Sequence, residues 1–142
     1  PNTSLFVQSV RSILTSASIF FGNLNHLVIE ICWTSGSLDE ARRISRFLVQ
    51  ERLVACAQIV PWIESVFLWN NRLETIQESK IVFKTTKEHF EAVKKTILDN
   101  TSYQVPEIIY YEISGGHQEY LDWAFESVKK KEKNEIAPNN TK

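Results

Sequence analysis

The sequence predicts an α+β fold whose elements follow the order β-α-β-β-α-β, with one further helix at each end. Short runs rich in β-branched and aromatic residues alternate with amphipathic helical patterns. Two of these runs are adjacent and meet at Asn70-Asn71, which predicts a β-hairpin. With 142 residues and 43% hydrophobic composition, the chain is long enough for one domain with its own core.

The first strand is predicted over residues 27–34, which are almost continuously apolar, as in a strand buried on both faces. A helix is predicted next, because Ser37 and Glu40 have the spacing of a capping box. Its apolar residues recur at helical spacing and are expected to face the sheet. They are Leu38, Ala41, Ile44 and Leu48.

The hairpin, predicted over residues 53–84, is the longest feature of the chain. Asparagine tolerates the positive φ of a type I′ turn, so the turn is placed at Asn70-Asn71. A straight first arm would extend about 55 Å at ~3.3 Å per residue, which is more than a compact domain can contain. Pro61 cannot donate to a ladder, so we expect a bend there. The apolar residues beyond it need a cover, either the chain's own helices or another copy, and the pattern alone favours neither.

The remainder of the chain supplies the second half of the fold. Thr85 and Glu88 repeat the capping-box spacing and predict the start of a second crossover helix. Pro106 opens a strand with the sequence EIIYYEI, and Gly115-Gly116 leads into a last helix. This order is that of a ferredoxin-like sandwich, in which both crossover helices lie on one face of an antiparallel sheet.

The two ends of the chain and its overall composition indicate its domain organisation, its partners and its location. Residues 1–25 are predicted to be an N-terminal extension, either a packed helix or the remnant of a targeting sequence, ahead of a domain at 26–133 and a disordered tail at 134–142. No run approaches ~18 apolar residues, so no membrane span is expected. A net charge of −1 gives no sign of a nucleic-acid partner. We expect a cytoplasmic protein, or an organellar or exported one if the extension is a targeting remnant.

Few residues suggest chemistry. The chain lacks a Walker motif and a dinucleotide fingerprint, and its histidines are not at metal-ligand spacing. Lys84 ends the second hairpin arm, and Tyr103 and Glu107 flank the start of the last strand. We predict that these three side chains meet at one end of the sheet and form a small ligand-binding pocket. An enzyme acting at this pocket is the alternative to a binding role, and structural ion pairing is the alternative for the charged pair.

Five motifs carry a resemblance to a known family. ERLVACAQIVP, ESVFLW, KTT, YQVPEII and YLDW occur in this order, and together they resemble the CutA family of divalent-ion tolerance proteins over residues 27–128. The resemblance implies a non-enzymatic subunit whose long bent hairpin packs in a homotrimer, with a shape related to the PII nitrogen-regulatory proteins. It also implies a role in tolerance or response to divalent metal, copper above all, or in small-ligand signalling at clefts between subunits. The expected trimer interface contains Trp62, Val66, Phe67 and Trp69.

The family's copper ligands are not reproduced. The resemblance places Trp33 at the position of the family's cysteine, while Cys32 is one residue out of register and so faces the other side of the sheet. Asn100 and Thr101 occupy the positions of the family's His-His pair. Neither an amide nor a hydroxyl suits copper as imidazole does. We therefore expect no cofactor, and at most weak binding of a divalent metal such as copper at Cys32.

Overall fold

The computed structural model describes residues 28–129 and has the predicted α+β architecture. The predictions for the N-terminal extension, its helix and the C-terminal tail lie outside these residues. No helix within the described range is long and apolar enough to cross a membrane. The elements are β1 (Val28–Ser35), α1 (Leu38–Gln50), β2 (Cys56–Trp69), β3 (Arg72–Thr86), α2 (Phe90–Asn100), β4 (Ile108–Glu112) and α3 (Gln118–Ser127).

The four strands form one antiparallel sheet in the order β2-β3-β1-β4. Strands β1 and β2 follow each other in sequence but are separated in the sheet by β3, so α1 crosses over between them. The same applies to β3 and β4, which lie on either side of β1 and are connected through α2. This arrangement confirms the predicted ferredoxin-like order.

The main core lies between the sheet and the two crossover helices. Alternate residues of β1 point to the helices, and Trp33 stacks on Phe83 with ring centroids 6.3 Å apart. Helix α3 covers the other face of the sheet near Val28, in a smaller cluster. The buried residues of the main core are Ile29, Ile31, Trp33, Ala41, Ile44, Leu48, Val54, Ile81, Phe83, Val93 and Ile97.

The hairpin turns and bends where the sequence predicts. Asn70 and Asn71 have φ angles of 50° and 61°, as a type I′ turn requires. The register shifts between Val60 and Ile63, which pair with Lys80 and Glu78, so β2 contains one extra residue and forms a β-bulge around Pro61. We call residues 61–78, the part of the hairpin beyond this bulge, the distal ribbon.

The predicted start of the second crossover helix is wrong. Thr85 belongs to β3, where its hydroxyl is buried and donates to the carbonyl oxygen of Leu53 at 2.7 Å. A 3₁₀ turn at Lys87–His89 follows, and α2 begins only at Phe90. The first helix agrees with its prediction, because the Ser37 hydroxyl accepts from the backbone N–H of Glu40 at 3.3 Å.

Candidate functional site

A cleft lies between the distal ribbon and the loop that connects α2 to β4. Its volume is about 720 Å³, within the range of ~300–1,000 Å³ that is typical of small-molecule sites. The distal ribbon forms one wall, and residues 102–107 form the opposite wall. We call it the hairpin cleft. The side chains that define its chemistry are Phe67, Trp69, Glu74, Glu78, Tyr103 and Glu107.

Glu78 is the most deeply buried of the three carboxylates in the hairpin cleft. The residue is 8% exposed, and its carboxylate accepts hydrogen bonds from the hydroxyls of Ser65 and Tyr103. No lysine, arginine or histidine of residues 28–129 forms an ion pair with it. Buried carboxylates in proteins usually have a cationic partner. Glu78 therefore gives the cleft a negative charge that the described part of the chain does not neutralise.

Tyr103 is the hydrogen-bond partner of Glu78 on the opposite wall of the cleft. Burial of its hydroxyl, followed by the hydrogen bond to Glu78, raises the pKa of Tyr103 to about 12, so the hydroxyl is a donor at neutral pH. The ring lies against Gly36, where a Cβ atom would be 2.7 Å from the Tyr103 oxygen. The absence of a side chain at Gly36 thus allows the tyrosine to reach Glu78.

Glu40 holds the loop wall of the hairpin cleft against α1. Its Oε1 accepts from the hydroxyls of Ser35 at 2.9 Å and Thr101 at 3.1 Å. Its Oε2 accepts from the backbone N–H of Ser102 at 3.1 Å. Because this carboxylate binds both the end of β1 and the loop that follows α2, it fixes the position at which the loop leaves α2.

Lys84 does not belong to this site. The side chain forms an ion pair with Glu30 at 3.0 Å and donates to Gln58 at 3.2 Å. It lies six residues from Glu78 along β3, a distance of about 20 Å at ~3.4 Å per residue. The structure brings Tyr103 and Glu107 together in one cleft, and it does not bring Lys84 to them. Lys84 does form an ion pair, but its partner is Glu30 and not Glu107.

The residues at the family's copper positions are engaged in other contacts. Trp33 is fully buried in the main core, whereas Cys32 lies on the other face of the sheet, where burial raises the pKa of its thiol. Thr101 binds Glu40, and the Asn100 amide donates to the carbonyl oxygen of Thr96 at 2.7 Å. Within residues 28–129, no three histidine, cysteine or acidic side chains are grouped as a metal ion requires.

The side chains predicted for the trimer interface all lie on the distal ribbon and are exposed. Trp62 has 63% of its surface accessible. Leu68 and Leu73, which are directly paired across the ribbon, are 70% and 72% exposed. Phe67 and Trp69 share a face with Glu74 and line the cleft. The ribbon therefore presents apolar side chains on both of its faces.

The prediction from the sequence missed Glu74 and Glu78. A signal was present in the turn, because a two-residue loop at Asn70-Asn71 fixes the register of the strands on either side. Counting outward from it pairs Phe67 with Glu74 and Ile63 with Glu78, on the same face as Trp69. The position of the loop opposite this face depends on the tertiary fold, and the register alone does not reveal it.

The sheet order and the open cleft define a small α+β protein of the ferredoxin-like class. The family model described as "CutA1 divalent ion tolerance protein" matches residues 29–127. The divalent-cation tolerance protein CutA of Thermus thermophilus is 39% identical over 95 residues, which are 67% of this chain and 92% of that one. Protein CutA 1, chloroplastic, of rice is 33% identical over 122 residues, 84% of this chain and 69% of the rice protein.

Solved structures give the same result. The Thermus thermophilus divalent cation tolerance protein matches with a TM-score of 0.70 and 36% identity, covering 72% of this chain and all of that one. The periplasmic divalent cation tolerance protein CutA from Archaeoglobus fulgidus matches with a TM-score of 0.70 and 35% identity, over 72% and 100% of the two chains. The chain belongs to the CutA1 divalent ion tolerance protein family, whose name describes tolerance and no enzyme activity.

Proposed function

We propose that this chain is a non-enzymatic homotrimeric member of its family that binds a small ligand in the hairpin cleft. In this role it contributes to the tolerance of, or response to, divalent metal ions such as copper. The observation that carries the proposal is the exposed apolar surface of the distal ribbon, which continues directly into the cleft.

The distal ribbon needs a cover that residues 28–129 do not supply. Trp62, Leu68 and Leu73 are each more than 60% exposed, although contiguous apolar surface of this kind is rare on monomers. Fully burying a side chain of this size contributes about 1.5–3 kcal/mol. Three such residues per copy thus supply several kcal/mol per interface toward the cost of association. A second copy is the partner that the family resemblance implies.

The same ribbon connects assembly to ligand binding. Val66, Phe67 and Trp69 are both predicted interface residues and lining residues of the hairpin cleft. A neighbouring subunit packed on the ribbon would therefore form part of the wall around the ligand. In the proposed trimer, the cleft that is open in one chain would thus become a closed binding site.

Light scattering tests the assembly. With a chain mass of 16.5 kDa, we expect a single species of about three times that mass at micromolar concentration. A folded species of single-chain mass at the same concentration would contradict the proposal, and with it the view that a neighbour completes the cleft.

Copper titration by calorimetry tests the role of metal. The residues at the family's ligand positions, Trp33, Asn100 and Thr101, offer neither thiolate nor imidazole, and Cys32 is a single buried thiol. We expect no micromolar copper site. The protein would then contribute to metal tolerance through the small ligand that it binds, and not by binding copper itself. Tight binding of one copper per subunit would contradict this proposal.

The alternative of an enzyme required Lys84 beside Tyr103 and Glu107. Lys84 instead forms an ion pair with Glu30 and is not among the residues that line the cleft. No observation favours a particular reaction at the two that remain. We therefore propose that the cleft binds its ligand without transforming it.

We propose a cytoplasmic location; the alternative, if residues 1–25 are a targeting remnant, is an organelle or export. The alternative has one support, which is that the rice relative is named chloroplastic and its match spans 84% of this chain, more than residues 28–129. Fluorescent fusions of the full chain and of residues 26–142 would separate the two. Diffuse signal from both supports the cytoplasm, whereas organellar signal that depends on residues 1–25 supports targeting.

A further inference from the structure

We propose that the hairpin cleft binds an organic cation, one whose ammonium or guanidinium group sits among carboxylates and aromatic rings. This inference rests on the proposed ligand-binding role of the cleft and names the chemical class of the ligand. It distinguishes the ligand from a divalent metal ion and from an anion.

The charge of the cleft is the first reason. Glu74, Glu78 and Glu107 line it, and no lysine, arginine or histidine is among the lining residues. The whole chain has a net charge of only −1, so this is a local concentration of negative charge. Such a cleft attracts cations and repels anions, the more so because its low-dielectric walls focus the field.

The second reason is Glu78 itself. A carboxylate that is 8% exposed and accepts two hydroxyl hydrogen bonds is held in one orientation. The nearest base along its strand is Lys80, two residues away, and none of the ion pairs among residues 28–129 joins Lys80 to Glu78. Because a buried charge is costly without a counter-ion, the position calls for a cation from outside the described residues.

The third reason is the aromatic wall. Phe67 and Trp69 line the cleft on the ribbon side, and Tyr103 lines it on the loop side. The faces of aromatic rings attract cations, and rings combined with carboxylates recognise ammonium and guanidinium groups in many proteins. The apolar residues Val66 and Ile76 offer a surface for the alkyl chain of such a ligand.

A metal ion fits these residues less well. No three metal-ligating side chains of residues 28–129 are grouped closely enough to hold one. Glu78 already accepts from Ser65 and Tyr103, and divalent cations require several oxygen ligands at short distance. A volume of about 720 Å³ is also far larger than a single ion needs.

Calorimetric titration of the full chain with agmatine, which carries a guanidinium and an ammonium group, tests the inference. We expect saturable binding with a dissociation constant below about 1 mM that weakens with added salt. Glu78→Gln keeps the shape of the side chain and removes its charge, and it should weaken binding at least tenfold. Glu91→Gln removes a carboxylate from the exposed face of α2 and should leave binding unchanged.

The outcomes separate this inference from the proposed assembly, because the mass of each sample is measured by light scattering. Trimers that bind no agmatine, or that bind the anion glutarate equally well, would overturn the inference alone. Zn²⁺ binding that depends on Glu78 without agmatine binding would also overturn it. Monomers that bind agmatine through Glu78 would support it and contradict the trimer. If Glu78→Gln fails to fold, the exposed Glu107→Gln provides the same comparison.

Discussion

Replacement of Gly36 by alanine should displace Tyr103 from its position in the wall of the hairpin cleft. The new Cβ would lie 2.7 Å from the Tyr103 oxygen and 3.0 Å from two ring carbons, so the ring must move. That movement breaks the hydrogen bond to Glu78, and bonds to charged groups contribute about 1.5–3 kcal/mol. Because Tyr103 is only partly buried, we expect a loss near 1.5 kcal/mol in the free energy of unfolding. Urea denaturation would measure it.

The pH dependence of Tyr103 gives a second readout of the same variant. Its folded-state pKa of about 12 lies above the ordinary value of 10.0, so the folded protein holds this proton more tightly than the unfolded chain. The resulting stabilisation is complete below pH 10.0 and is lost as the pH rises toward about 12. The pKa of Tyr120 is also raised to about 12, by burial and by the hydrogen bond with Cys56. In Gly36→Ala, spectrophotometric titration should therefore show one fewer late-ionising tyrosine, and Tyr120 should still ionise late.

Gly115→Ala is the matched control, because no atom lies within 4 Å of the Cβ that it would add. It should leave both readouts unchanged. A Gly36→Ala protein with unchanged stability and unchanged tyrosine ionisation would refute the argument that Gly36 makes room for the tyrosine.

Three further predictions concern the ribbon, its turn and the core. Leu73→Glu places a charge at an exposed apolar position of the distal ribbon and should dissociate the trimer, as measured by light scattering. The control Leu98→Glu on α2 should leave the trimer intact. If the two variants have the same mass, the proposed interface is contradicted. Asn71→Val places a β-branched residue at φ 61° and should cost about 1–2 kcal/mol in urea denaturation, with no loss contradicting the turn. Phe83→Ala should cost about 3–5 kcal/mol, since Phe83 is fully buried against Trp33; a cost below about 1 kcal/mol would contradict this packing.

Most of the fold could be predicted because it depends on local patterns. The positive φ angles at Asn70 and Asn71 follow from residue type and spacing, and the bend at Pro61 follows from a missing donor. Side-chain alternation in β1 placed Trp33 and Cys32 on opposite faces, as the structure has them. The start of α2 was misjudged because Thr85 satisfies its hydroxyl in a tertiary contact that its sequence neighbours do not reveal.

The candidate site was predicted only in part, for a topological reason. Strands β3 and β4 are both antiparallel to β1, so they run in the same direction. Lys84, near the end of β3, therefore lies across the sheet from Tyr111, near the end of β4, with Glu30 between them. Tyr103 and Glu107 precede the start of β4 and lie toward the opposite end of the strands. The strand directions implied by the predicted order already exclude this meeting.

The hairpin contains two registers that differ by one residue. Near the core, Val60 is opposite Lys80, and near the tip, Trp69 is opposite Arg72. If the inner register continued to the tip, Val66 would replace Phe67 opposite Glu74, and the aromatic side chains would turn away from the loop. The one extra residue at the Pro61 bulge therefore decides whether β2 presents its aromatic or its aliphatic side chains to the loop.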